Sequence, residues 1–140
     1  MYVYLSSGDS LEYHPRNDAV AFKVKLPKTI NFEGDGWQVG LLEIQIPPFV
    51  QGYDTPYLLV NSPLCEDSIV NESLQPCLRR IFRDDLHDVK VNFNPVWYTD
   101  IGIKSCDVIS VYITDAKSQP PALQPNISVE CTLHFKRLSD

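Results

Sequence analysis

Acid, base and metal-binding residues crowd together at Asp84-Asp85-Leu86-His87-Asp88, a histidine among three carboxylates. Such a group can act as a general base held by an orienting acid, or as part of a divalent-metal site. The same five residues also make a polar turn between two strand-like runs, and this is the preferred reading. A structural zinc site needs four convergent ligands. The other histidines, His14 and His134, lie far off in sequence, and alternation puts His134 on the wet face of its strand. Cys65, Cys77, Cys106 and Cys131 show no CxxC or CxxH spacing. Cys106 and Cys131 fall at strand-like positions, where a buried thiol behaves as a small apolar side chain. No G-x-S-x-G elbow, GxGxxG or GxxxxGK[ST] loop occurs, so neither a serine nucleophile nor a phosphate cradle has a motif behind it. No catalytic, cofactor-binding or metal-ligating residue is therefore assigned, and the expectation is a protein that is not an enzyme.

The aromatics offer a different kind of chemistry. Tyr2, Tyr4, Tyr53, Tyr57, Trp97 and Tyr98 are not all accounted for by inward strand positions. They serve either as core packing and loop anchors or as a surface for protein or sugar partners. The net charge of -6 argues against nucleic acid, because phosphate neutralisation needs a dense basic face. Lys23, Lys25 and Lys28 come nearest to one, but Lys23 and Lys25 read as the solvent face of a strand. The same balance argues against an anionic membrane surface. No apolar run approaches the roughly 20 residues of a membrane-spanning helix. The opening MYVYLSSGDSLEY lacks a basic region and a long apolar run, so a secretory signal is not expected and the thiols are read as reduced, although their even number allows two bridges.

These residues must be positioned by strands. Ile127, Val129, Cys131, Leu133 and Phe135 alternate against Ser128, Glu130, Thr132, His134 and Lys136, the period of a strand with one buried and one wet face. In Trp37–Ile46 the apolar set is Trp37, Val39 and Leu41, then shifts phase to Leu42, Ile44 and Ile46, as a β-bulge would require. Eight strands are expected, at 20–26, 37–46, 57–60, 78–82, 87–93, 96–99, 107–114 and 127–136, with Tyr2–Leu5 a weaker candidate left aside. Pro27 is expected to end the first of them. Residues 61–76 read as a polar excursion loop, with at most one helical turn within Glu66–Leu74. No longer window carries helical periodicity. Turn signals in every gap point to one all-β domain over 1–140, a single jelly-roll β-sandwich of about eight antiparallel strands, with the gaps 47–56, 61–76 and 115–126 crossing the ends. An immunoglobulin-type sandwich lacks its Cys…Trp…Cys order, since Trp37 precedes every cysteine.

Both ends of the chain carry further pattern. The opening runs Tyr2-x-x-Leu5-Ser6-Ser7, then Tyr13-x-Pro15-x-Asn17, Phe22-x-Val24-x-Leu26-Pro27, Ile30 and Gly36-Trp37-Gln38-Val39-Gly40-Leu41-x-Glu43-Ile44-x-Ile46-Pro47. The close runs Asp107-Val108-Ile109-Ser110-Val111-Tyr112-Ile113-Thr114-Asp115, a proline-rich link, and Thr132-Leu133-His134-Phe135-Lys136-Arg137. Together they resemble structural proteins of Polinton/Maverick elements and the related adintoviruses, over the first third and last quarter of the chain. Gln38 stands where those proteins usually have Glu, Ile46 where they have an aromatic, and the chain is shorter. The resemblance implies a virion structural protein of a double-stranded DNA virus or virus-like element. The expected form is a penton-like jelly-roll vertex subunit beside a double-jelly-roll coat protein. Self-association, a pentamer above all, and contacts with other capsid proteins are the partners it implies, with assembly inside the host cell. The alternative is a β-sandwich attachment module that binds a receptor or glycan through 47–56 and 61–76.

Overall fold

Where apolar and polar residues alternate, the chain forms strands, and it does so from end to end. The structure is a computed structural model, and it describes residues 1–34, 36–86 and 90–138. Eleven strands lie among the described residues: β1 Tyr2–Ser6, β2 Ala21–Asn31, β3 Trp37–Gln45, β4 Tyr57–Asn61, β5 Ser68–Val70, β6 Ser73–Gln75, β7 Cys77–Phe82, β8 Lys90–Asn92, β9 Tyr98–Asp100, β10 Ser105–Asp115 and β11 Glu130–Arg137. The only helical element among them is a 3₁₀ turn at Arg83–Asp85, where a polar turn was expected. One sheet runs β1-β11-β3-β8, with β9 also on β3. The second runs β2-β10-β4-β7, and β5 and β6 form a separate hairpin. Every pairing is antiparallel. The inner faces of the two sheets meet as a sandwich, with Val39, Leu41, Ile44, Leu133 and Phe135 from one and Phe22, Leu58, Ile81, Ile109, Val111 and Ile113 from the other in a single core.

The phase change in β3 is a bulge. Leu133 lies opposite Leu41 and Thr132 opposite Glu43, so Leu42 has no counterpart on β11. The extra residue lets Leu41 and Ile44 both reach the core. Leu42 itself stays half-buried outside the core cluster, which corrects its assignment to the inward set. Its carbonyl accepts from the Phe93 amide at 2.9 Å.

The eight expected strands are all present, and three more join them: β1 and the two arms of the hairpin. Three expectations about the strands change among the described residues. Pro27 does not end β2, which continues to Asn31. The register jumps from Lys25 to Ile30 across Val108 and Cys106, so Pro27 falls in an irregularity of an edge strand, where a missing N–H breaks no ladder bond. Residues 61–76 are not merely a loop, because Ser68–Gln75 folds back as β5–β6. Asn71 and Glu72 have φ of 49° and 71°, the paired positive values of a tight hairpin turn. The closing strand begins at Glu130, and Ile127 is exposed rather than inward. Strand β8 is described from Lys90, and residues 87–89 lie outside the described residues.

Candidate interaction surface

The outer face of the β1-β11-β3 sheet is where the aromatic residues collect. Register places Tyr2 opposite His134, His134 opposite Gly40 and Gly40 opposite Tyr98, one continuous row across four strands. Tyr2 stacks on the His134 ring at 4.6 Å and Tyr98 meets it edge-on at 5.7 Å. The Tyr98 hydroxyl is 2.8 Å from His134 Nδ1. Lys136 Nζ sits 3.8 Å over the other partner, the Tyr98 ring. Tyr98 can lie this way because residue 40 is glycine. A Cβ there would come within 3.0 Å of the Tyr98 ring and 2.6 Å of Val96 Cγ1. An aromatic laid across a strand glycine replaces the packing that glycine lacks.

The electrostatics of the row follow from its cover. Burial under the two rings holds His134 below its ordinary value, reinforced by the N-terminal ammonium and Lys136. Burial also raises the Tyr98 phenol. In the neutral tautomer protonated at Nε2, His134 Nδ1 accepts the phenolic hydrogen. One row along, Glu43 accepts from Thr132 Oγ1 at 2.9 Å and pairs with Lys90 at 2.8 Å. The Lys90 contact, then Thr132, holds the Glu43 carboxyl below its usual range. Tyr4 at the open edge is 75% exposed, so the face ends in a bare aromatic beside an unpaired strand edge. An exposed edge of this kind is a site for contact with another chain.

A second apolar projection comes from the hairpin. Ile69 and Leu74 face each other across β5–β6 and are 80% and 67% exposed. By sequence this stretch reads as a polar excursion loop, ligand-holding only in the attachment alternative, and its strands are not evident. Ile69-Val70 and Leu74 around Asn71 were the available signal, weakened by the shortness of each arm. The other proposed ligand loop, 47–56, is tied down. The Val50 amide donates to Ala122 O at 2.9 Å and Gln124 to Pro48 O at 2.8 Å. The Tyr53 hydroxyl donates to Asp115 at 2.6 Å, while the Lys117 and Gln119 amides donate to the other carboxylate oxygen. Burial raises the Asp115 carboxyl, but these donors together hold it below its usual range. This loop is clasped to the 115–126 connection at one end of the sandwich.

Asp84 and Asp85 lie in the 3₁₀ turn, and His87 and Asp88 fall outside the described residues. Among the described residues no three His, Cys, Asp or Glu side chains gather as metal ligands. All four cysteines are free thiols. Burial pushes Cys131 up to about 12 and Cys65 to about 11, although Cys65 accepts a bond from Thr99 Oγ1 at 3.2 Å. Thiols so far above neutrality are poor nucleophiles. No helix among the described residues is long and apolar enough to cross a membrane. No known family model matches the chain, and no curated protein is significantly similar to it.

Proposed function

We propose that this chain is a single jelly-roll structural subunit, a penton-like vertex protein of a virus or virus-like element, and that it acts by assembling with copies of itself. The observation that carries the reading is the strand order. With the β5–β6 hairpin taken as an insertion and β8 with β9 as one interrupted edge strand, eight successive strands remain. Their order is 1-8-3-6 in one sheet and 2-7-4-5 in the other. Two four-stranded sheets interleaved in this way are what two nested Greek keys produce, which supports the jelly-roll reading. The sequence resemblance at both ends of the chain supports the same assignment. The exposed aromatic face and the open β1 edge supply surface for packing around a symmetry axis.

Light scattering on the purified chain over a concentration series tests it. The expected result is a closed pentamer of about 80 kDa from the 15.9 kDa chain. A second reading, an attachment module that recognises a receptor or glycan, is favoured by the exposed Ile69–Leu74 hairpin. A trimer, or a monomer that binds a receptor or glycan, would replace the vertex reading with this one. A monomer that stays monomeric when mixed with a double-jelly-roll coat protein would also overturn the vertex reading.

A further inference from the structure

The β7 edge of the second sheet carries its own recognition chemistry. β4 covers one side of β7, and among the described strands none pairs with the other side. The Arg83 amide donates to Pro56 O at 3.0 Å, and Leu58 lies opposite Ile81. Antiparallel alternation then turns the backbone groups of Arg80 and Phe82 away from β4, toward the open side. Side chains alternate as well. Arg79 shares the face of buried Ile81, while Arg80 and Phe82 project to the exposed face.

Both arginines are held in place by rings rather than by acids. Arg79 lies 3.8 Å over Trp97 and 4.4 Å over Phe93, and its Nη1 donates to Pro95 O at 3.2 Å. Arg80 lies 4.7 Å over Phe82 and 5.6 Å over Tyr57. Among the described residues neither has an ion-pair partner, whereas neighbouring Arg83 is paired with Asp54 at 2.9 Å. Asp85 biases Arg79 electrostatically from the same groove. Between β7 and β8 that groove encloses about 470 Å³, lined by Arg79, Arg80, Phe82, Asn92, Phe93 and Trp97 among others. Trp97 is 55% exposed.

We infer that the β7 edge binds an acidic, extended peptide segment of a partner protein, which adds to the sheet as a strand. The open amides and carbonyls match a peptide backbone, and pairing of this kind gives affinity while alternate side-chain positions give specificity. Successive residues of an added strand project to opposite faces. Two adjacent carboxylates therefore meet Arg79 on the groove side and Arg80 on the outer side, each through a guanidinium fork. A second copy of β7 would set arginine against arginine, and the open β1 edge, Tyr2–Ser6, has no acid to offer.

The probe is a fluorescein-labelled Thr-Val-Glu-Asp-Val-Thr peptide, followed by anisotropy and by amide shifts at Arg80 and Phe82. Three competitors accompany it: the Lys-Lys version, an acidic version with proline at the second position, and a sulfated heparin disaccharide. The acidic peptide is expected to bind, with the shifts confined to β7 and the groove. The Arg80→Gln change should weaken it by about tenfold, the scale of one charge-assisted contact. Lys28→Gln, remote on β2, should leave binding unchanged, whereas the proline version should fail to bind. Arg79 also braces the Phe93–Trp97 segment, so exposed Arg80 is the decisive variant. Equal binding of the proline peptide would reduce the site to simple anion attraction. Preference for the disaccharide would make it a glycan site. Unaltered affinity in Arg80→Gln, or no binding at all, would also overturn the inference.

Discussion

Gly40 shows how one side chain's absence sets the chemistry of a face. Strand propensity alone favours valine over glycine. At position 40 the added atoms would collide with Val96 and the Tyr98 ring. The expected outcome for Gly40→Val is a loss of roughly 1–3 kcal/mol, the usual scale of overpacking, read by denaturant unfolding, with the Tyr98–His134 contact broken. A stabilised variant would show that Tyr98 does not lie across the strand. His134 yields a second prediction from the same row. Its folded value lies below the ordinary 6.5, so the unfolded chain takes up the proton first as pH falls. Its contribution is therefore fully present above about 6.5 and is lost as pH drops through the lowered folded value. Melting temperature measured against pH should fall less steeply over that window in His134→Gln than in the parent. Parallel curves would mean that the ring is not shielded by Tyr2 and Tyr98.

At the scale of elements, β11 is the strand on which the first sheet depends, because it pairs β1 on one side and β3 on the other. Leu133 is fully buried between the sheets, whereas Glu130 is exposed at its start. Leu133→Asp puts an unpaired charge in the core. The cost is several kcal/mol against a total stability of about 5–15, and soluble folded protein should not be recovered. Glu130→Ala should shift the unfolding free energy by less than about 0.5 kcal/mol. Circular dichroism melts of the two variants check this pair, and similar losses in both would mean that the inward face has been misassigned. Strand β2 shows how an element outruns its local signals. Proline stops a strand when both edges need N–H donors, yet Pro27 sits where β2 bonds only to β10 and the ladder is already irregular.

At the scale of the whole molecule, the aromatic face ending at β1 and the β5–β6 hairpin are, like the β7 edge, open to another chain among the described residues. Ile69 and Leu74 touch solvent and not the core. Replacing both with serine should leave thermal unfolding nearly unchanged. If this exposed apolar projection takes part in assembly, the same change should lower the mass measured by light scattering. An unchanged oligomer would place the contact on the aromatic face instead.

The sequence by itself determined the class of the fold, the identity of most strands and the bulge in β3, because period-two alternation is a local property fixed by the pleat. It also placed Ile109, Val111 and Ile113 on one buried face, and all three are there. It could not supply what depends on which strand lies beside which. His134 alternates outward as expected, but only the register β1-β11-β3-β9 puts Tyr2 and Tyr98 on its ring. Arg79 reads as one more polar residue in a strand, and only the meeting of β7 with the Phe93–Trp97 segment makes it a held cation. The hairpin arms were too short to announce themselves by alternation, and positive φ at Asn71 and Glu72 belongs to the folded turn. Local pattern decides which residues face inward. Long-range strand pairing decides what the outward ones meet, and there the candidate surfaces of this protein are made.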